Sequence, residues 1–108
     1  MMYLKFDTMD QAEKVLTSAG YVLSEYKNHF KPNAERYKNG AREEGTIFRI
    51  PLPIEYNGDE VIENFVDGIH ANLFDVDGVE ELLPYELLEV PKTPYNVRAQ
   101  KTFANKVL

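Results

Sequence analysis

There is no cysteine in this chain of 108 residues. Disulfides and thiolate metal sites are therefore excluded, and redox chemistry says nothing about its compartment. No apolar run approaches the roughly 18–20 residues that a helix needs to cross a bilayer. The opening residues, MMYLKFDTMD, lack the basic-then-apolar layout of a signal peptide. A soluble protein of the cytoplasm in which it is made is the expectation. Positive charge is missing locally: no Lys or Arg lies between Arg49 and Lys92, where eleven Asp and Glu fall. Lys92, Arg98, Lys101 and Lys106 then follow with no acidic side chain among them. An acidic solvated face balanced by a basic tail accounts for this. So does an interface in which the tail of one chain meets the acidic middle of another. The net charge of −6 argues against duplex binding, which needs a basic footprint. Gly-rich phosphate loops, nucleophile elbows and H-E-x-x-H patterns are absent as well. No cofactor, metal or catalytic residue is expected, and the chain reads as a non-enzyme.

What is present is enough for a core. Apolar residues make up 44% of the chain, with seven Tyr and six Phe, so one small ordered domain is expected. Residues 2–6 alternate as a strand, with Met2, Leu4 and Phe6 on one face. Thr8 and Gln11 have the spacing of a capping box, in which the hydroxyl satisfies a helix N–H and Gln reaches back. Ala12, Val15, Leu16 and Ala19 follow with the periodicity of one buried helix face, and Gly20 supplies the left-handed stop. A helix is predicted over residues 9–19.

Residues 21–26 read as a second strand. Residues 27–45 mix Lys27, His29, Lys31, Arg36, Lys38 and Arg42 with Asn, Pro and Gly, and read as a long surface loop or a short helix near 32–38. Phe30 and Tyr37 among those cations superficially suit single-stranded nucleic acid or an acidic ligand, against a plain solvated hairpin loop. Residues 46–50 are strand-like, and Pro51 and Pro53 place 51–54 at an edge or turn. Turns are predicted at Asn57-Gly58-Asp59, Asp67-Gly68 and Asp77-Gly78. Between them, 61–65 reads as a brief strand or turn and 69–74 as a core strand. A helical turn over 79–83 should stop before Pro84, with a last strand over 87–90. Pro91 and Pro94 set an extended exit.

Two site templates fail on count or spacing. Placing Gly78 at the sixth position of a calcium loop puts Leu73 first and Pro84 twelfth, where acidic ligands belong. His70 has only His29 as a second histidine, so it reads as a structural histidine on a strand rather than a base or ligand. The tyrosines read mostly as ordinary half-buried residues. Tyr85 and Tyr95, flanking the Pro-rich exit, are the two placed to dock a partner.

Several segments together resemble a family of small proteins encoded by tailed bacteriophages and prophages. They are Met2-Tyr3-Leu4-Lys5-Phe6 before a helix, Gly20-Tyr21, and Gly45-Thr46-Ile47. Asp67-Gly68-Ile69-His70-Ala71-Asn72-Leu73, Leu83-Pro84-Tyr85 and Pro91-Lys92-Thr93-Pro94-Tyr95-Asn96-Val97-Arg98-Ala99 complete the match. The family often has Trp where this chain has Ile69, and residues 101–108 run past its usual end. The resemblance implies phage origin, genes near those of tail components, and no assigned catalytic residue. The resulting expectation is an α+β domain over residues 1–99, an N-terminal helix packed on a mainly antiparallel sheet, with a tail over 100–108. Its expected role is a structural or tail-associated accessory protein of the host cytoplasm or the virion. It would contact phage structural proteins or itself, with no membrane or nucleic-acid partner, through Tyr85, Lys92, Tyr95, Arg98, Lys101, Phe103 and Lys106. The competing expectation is a small phage protein that inhibits a host defence, binding a host protein or a nucleotide through the basic loop 27–42.

Overall fold

Alternation at the N-terminus produces β1 (Met2–Phe6): Met2, Leu4 and Phe6 are fully buried, and Tyr3 and Lys5 point the other way. The computed structural model describes residues 1–74 and 78–89. Helix α1 (Met9–Ser18) begins at the predicted cap, where the Thr8 hydroxyl accepts the Gln11 N–H at 3.1 Å. Gln11 Oε1 accepts the Asp7 N–H at 2.7 Å, so the reach-back bond lands one residue before the cap. Ala12 and Leu16 are fully buried, and Gly20 at φ +98° ends the helix in the left-handed region.

Strand β2 (Tyr21–Leu23) is shorter than the predicted 21–26. Ser24 stops it: its Oγ accepts the N–H groups of Asn28 and His29 at 3.3 and 3.1 Å, and Lys27 adopts φ +55°. The segment 27–45, predicted as a long surface loop or a short helix near 32–38, holds β3 (His29–Pro32), which pairs with β2 and with β4 (Gly45–Phe48), ahead of that helix. Only Phe30 and Pro32 of β3 are buried, so its polar residues hid a strand. Helix α2 (Ala34–Lys38) follows, capped by Asn33 Oδ1, which accepts the Arg36 N–H at 2.8 Å.

Beyond β4 the chain leaves the sheet as an antiparallel ribbon. The Val66 N–H donates to Ile50 O at 2.8 Å, Pro51 pairs with Phe65, and the Leu52 N–H donates to Asn64 O at 2.8 Å. The ribbon ends in a hairpin, β5 (Glu55–Asn57) and β6 (Glu60–Ile62), turned by Gly58 at φ +65°. It returns as β7 (Ile69–Leu73), completing a five-stranded sheet of order β1-β7-β4-β3-β2 with every neighbouring pair antiparallel.

A 3-10 helix, Glu80–Tyr85, runs through Pro84 instead of stopping before it. Such a helix has few bonds to lose, and the Glu86 N–H still reaches Leu83 O at 3.1 Å. In place of the predicted strand over 87–90, Glu86 forms a single bridge to Leu4, and the Leu87 N–H donates to Tyr3 O at 2.7 Å. Val90 lies outside the described residues, as does the expected boundary after Ala99. α1 and the 3-10 helix cover one face of the sheet, where Ala12, Leu16, Val79 and Leu82 join Met2, Leu4, Phe6 and Leu73 in one core. The fold is α+β, an N-terminal helix on an antiparallel sheet, as predicted.

Candidate functional site

Directly opposed residues of antiparallel strands project from the same face. The register therefore aligns His29, Thr46, Asn72 and Tyr3 in one row across β3, β4, β7 and β1, on the face away from α1. The neighbouring row holds Phe48, His70 and Lys5. At the centre, Thr46 is 9%, His70 3% and Asn72 2% exposed. Thr46 Oγ1, His70 Nδ1 and Asn72 Nδ2 have no hydrogen-bond partner among the described residues. The Phe48 ring lies roughly parallel to the His70 ring, with centroids 6.3 Å apart. Burial drives the His70 pKa down to about 4; Lys5 lowers it further and Asp67 opposes the shift.

Beside this row a pocket of about 280 Å³ is lined by Val22, Ser24, His29, Lys31 and Glu44, among others. Its position follows from the register, because His29 on the pocket wall is the partner of Thr46.

Three of the six basic residues of segment 27–42, Lys27, Arg36 and Arg42, make contacts within the chain. Lys27 Nζ meets Glu13 Oε2 at 2.8 Å. Glu43 Oε1 accepts the Tyr21 hydroxyl at 2.9 Å and Arg36 Nε at 2.7 Å, and the Arg36 guanidinium lies 5.0 Å from the Tyr21 ring centre. Burial alone would raise the Glu43 carboxyl. The backbone N–H, Arg36 and Tyr21 outweigh that and hold it below its usual range. Burial and then the bond to Glu43 push the Tyr21 phenol well up. Arg42 covers the Tyr37 ring at 3.8 Å and donates to Tyr37 O at 2.8 Å. Phe30 is 2% exposed, so the aromatic that suggested base stacking belongs to the core.

Of the predicted contact residues, Tyr85 is half-buried, with its ring 5.1 Å from that of Phe6. Lys92, Tyr95, Arg98, Lys101, Phe103 and Lys106 lie outside the described residues. Asn72 and Thr46 were the residues sequence reasoning missed. The signal for Asn72 was a lone amide within an apolar strand, but its pairing with Thr46 is set by the fold. Among the described residues no three His, Asp or Glu side chains converge as around a metal ion, and no helix is long and apolar enough to cross a membrane. No protein-family model, curated protein or solved structure matches the chain.

Proposed function

We propose that this chain acts without catalysis, as a phage structural or tail-associated accessory protein that binds other proteins through its β5–β6 arm. One observation carries the reading. Among the described elements the hairpin packs chiefly on itself, yet its opposed pair Tyr56 and Val61 is 72% and 53% exposed. A lone two-stranded hairpin is marginal in water, and tyrosine is enriched where proteins bind one another. Ile54, 47% exposed, adds to the apolar surface. Glu55, Asp59, Glu60, Glu63 and Asp67 surround it in a stretch without Lys or Arg, so the fitting partner is basic.

The chain carries such a segment itself: Lys92, Arg98, Lys101 and Lys106 with Tyr95 and Phe103 and no acid. Arm-to-tail contact between copies is therefore the unit of assembly. Sedimentation of the full chain should show a salt-sensitive oligomer, lost on Tyr56→Ser with Val61→Ser and on deletion of residues 100–108. A monomer at all concentrations would overturn self-association. Mass spectrometry of purified virions tests the structural role separately, and absence of the protein there would leave host-protein inhibition as the better reading.

A further inference from the structure

Thr46, Asn72 and His70 present a problem that the arm does not address. Each is nine-tenths or more buried, and each holds a polar atom without a partner. Buried polar groups in folded proteins are nearly always hydrogen-bonded, because an orphaned one loses its water and gains nothing. Here three such atoms stand together: Thr46 opposite Asn72 on adjacent strands, and His70 two residues along on the same face. Chance burial would scatter them.

We propose that the face of the sheet away from α1 binds the oxyanion, carboxylate or phosphate, of a small ligand, with Thr46, Asn72 and His70 as hydrogen-bond donors. The donor set selects that chemistry. The Asn72 amide nitrogen donates and has no lone pair to offer. The Thr46 hydroxyl rotates to donate, and a neutral imidazole donates from Nδ1 in one of its tautomers. An oxygen with several lone pairs is the group all three can share; a metal ion cannot use Asn72 Nδ2 at all. Burial keeps His70 neutral near pH 7.

Charge on this face points the same way. Lys5 is the β1 partner of His70, and Lys31 lines the pocket beside Thr46, so cations flank the row on both sides in a chain of net charge −6. Among the described residues lining the pocket, Glu44 is the acidic one. It would disfavour ligands carrying a second negative group on that side.

The test is an NMR titration of the full chain, labelled with nitrogen-15, with sodium acetate and separately sodium phosphate at constant ionic strength. Sodium chloride is the control. Saturable shifts of the Asn72 side-chain NH2 and the His70 ring are expected from at least one oxyanion and not from chloride. Response to acetate alone assigns a carboxylate ligand, and response to phosphate alone a phosphate. Thr46→Val removes one donor at nearly constant volume and should weaken binding roughly tenfold while raising Tm. Asn72→Asp, close in shape, should abolish binding and serves if the valine variant fails to fold. No saturation by either oxyanion at millimolar concentration, equal shifts with chloride, or unchanged affinity in the folded variants would overturn the proposal.

Discussion

The Phe30 ring lies across Gly45, its register partner on β4, and occupies the space where a β-carbon would stand. Asn72 O closes the same space at 2.6 Å from that position. Both obstacles are fixed, one a core ring and the other backbone. Gly45→Ala should therefore destabilise the fold by about 1–3 kcal/mol in urea titration. Gly78, with no atom of a described residue within 4 Å of the equivalent position, is the control; its change to Ala should stay within about 0.5 kcal/mol.

Removing the Thr8 hydroxyl takes away the acceptor for the Gln11 N–H at the start of α1. Thr8→Ala should cost about 1 kcal/mol, and Thr8→Asp should restore most of it because a carboxylate caps equally well. Thermal unfolding of the three proteins side by side checks this.

His70 makes stability depend on pH. Its folded pKa is pushed down to about 4 by burial, with Lys5 adding to the shift. An unfolded histidine titrates near ~6.5. Between those values the unfolded chain binds more protons, so stability is lost as pH falls from about 6.5 to about 4, up to about 3 kcal/mol. Urea midpoints across that window should fall for the natural chain and stay nearly flat for His70→Gln. Equal slopes would show that another group titrates there. The depressed Glu43 carboxyl contributes its own loss at lower pH, as it is protonated.

Glu43 ties three parts of the chain together through Tyr21, Arg36 and the Arg42 N–H. Its side chain is 9% exposed and that of Arg36 28%. Glu43→Ala orphans the Tyr21 hydroxyl and leaves a partly buried guanidinium, so a loss of about 2–3 kcal/mol is expected. Arg36→Ala together with Glu43→Ala should cost less than the sum of the single changes, which a double-mutant cycle would measure.

Locally written features were legible from residue order. Thr8, Gln11 and Gly20 announce both ends of α1, and the alternation in β1 names its buried face, because caps and periodicity act between residues a few positions apart. Strand β3 was not legible: two of its four residues are exposed, and a strand this short is stabilised by β2 and β4 rather than by its own pattern. The 3-10 helix through Pro84 was hidden for a related reason. Proline's usual veto concerns the bond ladder of a longer α-helix.

The candidate site divides the same way. Composition and charge alone determined a small cysteine-free domain with an acidic middle and a basic end, since those properties depend only on which residues are present and in what order. His70 and Asn72 could be seen as polar residues within an apolar run. Only the tertiary structure decided that Thr46 stands opposite Asn72, that Lys5 and Lys31 flank the row, and that Arg36 and Arg42 are engaged by groups of the same chain. Register is a relation between distant strands, and slipping it by one residue would turn each of those side chains to the other face.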